Sequence, residues 1–291
     1  MKTLKYFLSC LVCLSLFSCE RDLLNEEQYK KVVYALSYDN NIFPYAYELK
    51  QEATMGYITL YCSGTLPAEE DFTIEMEDYP AMLDEYNKRI FDLDVSKYAQ
   101  PLPADRYEIP SYSCEFKSGG EDSYTLFPIK VNANGLSPDT AYMIPMNIKS
   151  VSHYEINPNK QQILFQIKLK NEYANQQERT SYSMKGRKNG DPLTAVKEFT
   201  PLTHNRVRII PEALAGESNI DFINKYAIIL EIQEDNTVNI LPFKDIVVEK
   251  TDICTYNPDL KVFNIYYKYK SDSDTWIEVS EELTRIVSEV E

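Results

Sequence analysis

The sequence predicts an all-β protein made of two antiparallel β domains, with one short helix near residues 80–90. Apolar and polar residues alternate over several segments of six or more residues, which is the pattern of half-buried strands. Turn-forming sequences such as Ser118-Gly119-Gly120 and Asn157-Pro158-Asn159 separate these segments. The chain has 291 residues, which is enough for two domains of the sandwich or barrel type.

The N-terminus has the features of a secretory signal followed by a lipidation site. Lys2 and Lys5 precede an apolar run over 6–17, which is shorter than the about 20 residues that a membrane-spanning helix needs. Leu16-Phe17-Ser18-Cys19 resembles a bacterial lipobox, in which the cysteine is lipidated and becomes the new N-terminus. We predict a signal peptide at 1–18 and lipidation of Cys19. The alternative is an ordinary secretory signal with an incidental cysteine.

Residues 19–28 are polar and form a tether in this prediction. Glu20-Arg21-Asp22 directly follows the cysteine and resembles the surface-export signal of Bacteroidetes lipoproteins. Acyl chains on one cysteine give a firm anchor, because each buried CH₂ contributes about 0.8 kcal/mol. The predicted location is the outer membrane, with the lipid as anchor and the body facing the cell exterior.

The first predicted domain spans 29–171 and opens with a tyrosine-rich strand at Tyr29–Tyr38. Residues 80–90 carry apolar side chains at helical spacing after a proline suited to a first turn, and they predict the short helix. The other strands are predicted from strict alternation. Their inward residues are Ile58, Leu60 and Cys62, then Phe72, Ile74 and Met76, and finally Ile163, Phe165, Ile167 and Leu169.

The second predicted domain spans 180–291 and follows a polar, aperiodic boundary near residues 171–180. It contains two predicted hairpins. One joins 226–233 to 237–241, and the other joins 260–270 to 275–280 through Ser271-Asp272-Ser273-Asp274. This domain is expected to be a small β-sandwich or a barrel-like fold.

Composition and charge argue against several functional classes. A net charge of −15 does not suit neutralisation of nucleic-acid phosphates, and it favours neutral or basic ligands over sulfated ones. Two histidines make a His-based metal centre improbable. Cys62 and Cys114 either form one disulfide or, together with Cys254, are small buried hydrophobic residues.

The sequence carries no recognisable catalytic constellation, and we predict a protein that is not an enzyme and has no metal or cofactor. It lacks a Gly-x-Ser-x-Gly elbow and a phosphate-binding glycine loop. Paired acids such as Glu281-Glu282 are interpreted as solvated, because an acidic chain contains such pairs by chance. Asp272-Ser273-Asp274 is interpreted as an ordinary turn, since it lacks the further ligands of a calcium loop.

Aromatic residues are the better functional lead, because the chain has 23 Tyr, 12 Phe and one Trp. The C–H faces of sugar rings stack on such side chains, which present rigid apolar surface with a polar tip. A turn at 271–274 would place Tyr269 opposite Trp276, with Tyr267 on the same face. These three residues are the predicted glycan-binding platform. The alternative is an aromatic pair at the rim of the core, and a one-residue slip in the turn would separate the three residues.

A family resemblance adds to this interpretation. It lies in Tyr29–Tyr38, Tyr86-Asn87, Leu102-Pro103, Tyr107, Leu136-Ser137 and Ala141–Ile148. The first domain resembles, at these residues, the N-terminal domain of Bacteroidetes polysaccharide-utilisation lipoproteins, including some endo-β-N-acetylglucosaminidases. The second domain resembles a companion C-terminal domain of unknown function, and this likeness lies in Tyr182-Ser183-Met184-Lys185-Gly186 and Trp276–Glu281. The resemblance implies an Ig-like sandwich in the first domain and a role in glycan capture at the cell surface. It carries over no catalytic residues.

The predicted function is therefore a non-catalytic, cell-surface lipoprotein that binds glycan or assists polysaccharide capture and uptake. Its predicted partners are a glycan or polysaccharide, the membrane through the lipid, and an outer-membrane transporter complex, but no nucleic acid. The alternative is an adhesive or structural lipoprotein of the fimbrial type. Such subunits are expected to mature at an arginine in the first strand, and Tyr29–Tyr38 contains Lys30 and Lys31 but no arginine.

Overall fold

The structure is a computed structural model that describes residues 26–120, 122–214 and 219–286. The predicted signal peptide and Cys19 lie outside these residues. The first domain contains β1 to β11 and α1. Their bounds are β1 Val32–Ala35, β2 Ile42–Glu48, β3 Thr54–Cys62, β4 Phe72–Asp78, α1 Ala81–Phe91, β5 Gln100–Pro101, β6 Tyr107–Glu108, β7 Ser113–Phe116, β8 Tyr124–Val131, β9 Tyr142–Val151, β10 Glu155–Ile156 and β11 Gln162–Lys170.

These strands form a sandwich of two sheets. One sheet has the order β10-β1-β3-β8-β6, and the other has β2-β11-β9-β4-β7 with β5 paired to β9. The prediction of an all-β protein with two domains is confirmed. The two sheets of the first domain, however, are mixed and not purely antiparallel. The pairs β1–β10, β2–β11 and β5–β9 are parallel.

The core of the first domain lies between the two sheets and follows the predicted alternation. All ten residues predicted to point inward from the three alternating strands are buried, at 0–5% exposure. The predicted helix is also present, beginning after Pro80. Leu164 of β11 is buried although it points away from this core, because α1 covers that side through Met82 and Leu83. The Asn87 side chain fastens α1 by bonding both the N–H and the C=O of Ala99, each at 2.9 Å.

The second domain contains β12 to β21 and α2. Their bounds are β12 Ser181–Lys188, β13 Asp191–Glu198, β14 Thr200–Thr203, β15 Arg206–Ile209, α2 Ile220–Tyr226, β16 Ile228–Ile232, β17 Val238–Pro242, β18 Val248–Lys250, β19 Thr255–Asn257, β20 Val262–Lys270 and β21 Trp276–Arg285. One sheet has the order β13-β12-β21-β20-β18, with β19 also paired to β20. The other sheet has the order β14-β15-β16-β17. Both predicted hairpins, β16–β17 and β20–β21, are present.

Polar contacts join the two domains. Arg208 of β15 is buried and donates two hydrogen bonds of 2.6 Å to the carboxylate of Asp139, in the loop before β9. The Asn171 amide donates to the carbonyls of Thr203 and Arg206, at 2.7 and 3.0 Å. These bonds connect the end of β11 to the β14–β15 hairpin of the second domain.

Glu27 connects the segment that precedes β1 to the loop that follows β3 through hydrogen bonds. Its carboxylate accepts hydrogen bonds from the Lys31 ammonium and from the backbone N–H groups of Thr65, Leu66 and Tyr29. The Lys31 ammonium, followed by the Thr65 N–H, lowers the pKa of Glu27 from 4.5 to about 2. A carboxyl group with a lowered folded-state pKa stabilises the fold above its unfolded pKa, and this contribution is lost as the pH falls toward the folded value.

We therefore expect an NMR titration to place the Glu27 carboxyl midpoint near pH 2. Glu27→Gln should weaken the dependence of the thermal midpoint on pH between 4.5 and about 2. Glu26→Gln is the control, because Glu26 is the exposed neighbouring residue. A Glu27 midpoint near 4.5 would show that the hydrogen bonds to the Glu27 carboxylate do not form in solution.

Candidate functional site

The predicted platform of Tyr267, Tyr269 and Trp276 is not formed. The β20–β21 hairpin places Tyr269 opposite Ile277 and Lys270 opposite Trp276, so the predicted register is wrong by one residue. The loop has five residues, 271–275, and is closed by the Ser271 N–H donating to the Thr275 carbonyl at 2.9 Å. Since successive strand residues face opposite sides, this one-residue difference separates Trp276 from the tyrosines.

Tyr267 and Tyr269 lie in the core of the second domain, with 0% and 2% exposure. The Tyr267 hydroxyl donates to Glu281 at 2.9 Å and the Tyr269 hydroxyl donates to Glu212 at 2.5 Å. Trp276 lies on the opposite, outer face, where the ammonium groups of Lys268 and Lys270 are 4.5 and 5.6 Å from its ring centroid. Tyr267 and Tyr269 are therefore unavailable to a ligand.

A different aromatic surface lies on the first domain. Tyr34 of β1, Tyr61 of β3 and Tyr124 of β8 are direct cross-strand partners on adjacent strands. The ring centroids of Tyr34 and Tyr61 are 5.7 Å apart with an interplanar angle of 30°. Those of Tyr61 and Tyr124 are 5.9 Å apart with an angle of 27°. We call these three residues the tyrosine row.

Strand alternation directs the tyrosine row outward. Val33, Ala35, Leu60 and Cys62, which flank Tyr34 and Tyr61 along their strands, are all buried in the sandwich core. The row therefore lies on the outer face of the sheet, and Tyr124 has 39% of its surface exposed. The sequence alone does not reveal this site, because Tyr34, Tyr61 and Tyr124 come from distant segments, although the predicted inward set of β3 already implies that Tyr61 points outward.

The surroundings of the row are unusually apolar for the outer face of a sheet. Leu36 and Leu126 are 41% and 43% exposed, and Met55 on the same face is 39% exposed. Outer faces of sheets that contact water are normally polar, and a contiguous exposed apolar patch marks an interaction site. This patch and the tyrosine row together form the candidate functional site.

The chemistry of the row suits stacking on a neutral ring. Within the part of the chain that the structure describes, the three phenol hydroxyls have no hydrogen-bond partner, so they are available to a ligand. Burial, followed by the neighbouring Tyr61, raises the pKa of Tyr34, which keeps this phenol uncharged at neutral pH. The row thus offers rigid aromatic side chains with polar tips on the outer face of the sheet.

Outside the tyrosine row, the structure also locates the thiols and the possible metal ligands of the described residues. Among the described residues, no three His, Cys, Asp or Glu side chains come together in a way that could hold a metal ion. Cys62, Cys114 and Cys254 are free thiols, and burial raises the pKa of each. In residues 26–120, 122–214 and 219–286, no helix has the length and apolar character needed to cross a bilayer.

Two family models match the chain. One, described as an N-terminal domain, matches residues 28–155, and the other, described as a C-terminal domain, matches residues 161–284. The second match begins at β11, although this strand completes the first sandwich. The fold and the two matches define a two-domain, all-β protein. No curated protein matches the chain significantly.

Solved structures from Bacteroides share this two-domain fold. A Bacteroides ovatus protein of unknown function has a TM-score of 0.64 at 17% identity, covering 90% of this chain and 97% of its own. A multidomain protein including DUF1735, also from Bacteroides ovatus, has a TM-score of 0.60 at 17% identity, with 89% and 97% coverage. An auxiliary nutrient binding protein from Bacteroides thetaiotaomicron has a TM-score of 0.56 at 12% identity, with 85% and 92% coverage.

Proposed function

We propose that this protein is a non-catalytic glycan-binding protein that captures polysaccharide on the tyrosine row. The observation that carries the proposal is the stacking of Tyr34, Tyr61 and Tyr124 across three adjacent strands on an outer face. Sugar rings bind such a surface through their apolar C–H faces, while the hydroxyls bond to the phenol tips. Consecutive rings of an extended sugar chain can lie over consecutive tyrosines.

Two further observations support the proposal. The solved nutrient binding protein has the same two-domain fold, and nutrient capture needs binding without turnover. The net charge of −15 favours neutral or basic glycans over sulfated ones, because like charges repel. Lipidation of Cys19, attachment to the outer membrane with the body facing outward, and association with an outer-membrane transporter belong to the same proposal.

The test is affinity electrophoresis of residues 20–291 through gels that contain plant, fungal or host polysaccharides. We expect one polysaccharide to retard the protein, and Tyr61→Ala to weaken this retardation at least tenfold. Tyr61 contacts both neighbouring rings of the row, and central aromatic anchors carry most of the binding energy of an interface.

Tyr38→Ala is the matched control, because Tyr38 is 69% exposed and lies outside the row. It should leave the retardation unchanged. Retardation that is equal in both variants would remove the row from the proposal. If no polysaccharide retards the unmodified protein, glycan binding itself is wrong and the adhesive alternative becomes the stronger one.

A further inference from the structure

The second domain carries a groove that is separate from the tyrosine row. It lies on the outer face of β12, β21 and β20, and it consists of two adjacent depressions of 320 and 280 Å³. Both depressions are lined by Arg187, Tyr266 and Ser280. The register explains this arrangement, because Ser280 of the middle strand pairs with Arg187 on one side and with Tyr266 on the other.

The floor of the groove is low at Ser280, a small residue that lies between the long side chains of Arg187 and Tyr266. Beside Tyr266, residues 251–254 interrupt the edge between β18 and β19. The Thr251 N–H donates to the Tyr266 carbonyl at 3.1 Å, and the half-buried Tyr266 lines both depressions.

Donors and acceptors without protein partners surround this tyrosine. Lys185, Asn264 and the Ser280 hydroxyl can donate, while Glu278 and Glu282 can accept. None of these five side chains has a hydrogen bond or ion pair with another described residue. Elsewhere on the same face the charges are already satisfied, since Lys268 pairs with Glu249 at 2.9 Å and Lys270 with Asp274 at 2.6 Å.

We propose that this groove is a second saccharide-binding site, for a neutral sugar ring or the end of a neutral glycan chain. A sugar hydroxyl can both donate and accept a hydrogen bond. It can therefore bind in a groove that offers ammonium, amide and carboxylate groups around one aromatic ring. The cations Lys185 and Arg187 share the groove with the carboxylates of Asp252, Glu278 and Glu282, and this excess of negative charge disfavours an anionic ligand. Together with the tyrosine row, the chain would hold a polysaccharide at two points.

The test uses ¹⁵N-labelled residues 20–291 titrated separately with glucose, galactose, mannose and N-acetylglucosamine. We expect one of these sugars to shift the backbone amide signals of Gly186, Arg187 and Ser280 with saturation in the millimolar range. Tyr266→Ala should abolish the shifts. Ser280→Phe should also abolish them, because it fills the groove from the outer face and leaves the core unchanged.

Tyr61→Ala is the control that separates this site from the tyrosine row, and it should keep the shifts of the groove unchanged. The proposal is wrong if none of the four sugars shifts these amides, or if the shifts survive in both groove variants. Stronger binding of galacturonate than of galactose would overturn the assignment to neutral sugars. Polysaccharide retardation that depends on Tyr61, without any shift at the groove, would leave the row intact and remove only the second site.

Discussion

Glu281→Gln is expected to lower the free energy of unfolding of the second domain by about 3 kcal/mol, since removing one partner of a buried ion pair costs several kcal/mol. The Glu281 carboxylate is fully buried and accepts two hydrogen bonds from the Lys197 ammonium, at 2.6 and 2.7 Å. It also accepts from the Glu212 N–H and the Tyr267 hydroxyl, at 2.8 and 2.9 Å. Glutamine keeps an oxygen for these neutral donors but removes a negative charge that lies directly beside the Lys197 ammonium.

Glu282→Gln is the matched control for this prediction. Glu282 is the next residue of β21 and points to the exposed outer face, so its substitution should change stability by less than about 0.5 kcal/mol. Urea unfolding of both variants provides the measurement. Equal midpoints for the two variants would mean that the ion pair of Glu281 and Lys197 does not stabilise the second domain, and the prediction would be wrong. The interpretation of Glu281-Glu282 as a solvated pair thus holds for Glu282 and is wrong for Glu281.

Asp139→Ala is expected to destabilise the contact between the domains by about 3 kcal/mol. Arg208 has only 5% of its surface exposed, and its guanidinium donates two hydrogen bonds to the Asp139 carboxylate. The guanidinium also lies 4.9 Å from the centroid of the Phe243 ring, which holds it in place. Among residues 26–120, 122–214 and 219–286, Asp139 is the carboxylate that pairs with Arg208, so its loss leaves this buried cation at the domain boundary without that ion pair.

The control is Glu231→Ala, which removes the partner of Arg206, two residues away on β15. Arg206 is 41% exposed at its side chain, so water can replace the lost carboxylate and the expected cost is below about 1 kcal/mol. Calorimetry and small-angle scattering should show earlier unfolding and a larger radius of gyration for Asp139→Ala alone. Identical behaviour of the two variants would show that Arg208 does not hold the domains together.

Much of the fold was predictable because strand alternation is a local property. In β3, β4 and β11 the position of each residue in the repeat decided which side chains entered the core, and all ten residues predicted to point inward are buried. The helix at 81–91 was predictable for the same reason, since helical spacing is visible within one short segment.

Three features depended on loop geometry or on contacts between distant residues. The five-residue loop at 271–275 set the register that buried Tyr267 and Tyr269 and left Trp276 outside. Leu164 became buried on the second face of its sheet only because α1 packs there. Glu281 occupies an inward position in the alternation of β21, but only the structure shows Lys197 close enough to balance it.

The sequence by itself determined which residues alternate, where the chain turns, and the acidic charge that argues against nucleic acid. The tertiary structure alone decided which tyrosines meet, because Tyr34, Tyr61 and Tyr124 lie on strands paired across long stretches of chain. Alternation along a strand limits each side chain to one of two faces of the sheet. The pairing register between strands depends instead on loop geometry and on packing against the rest of the molecule.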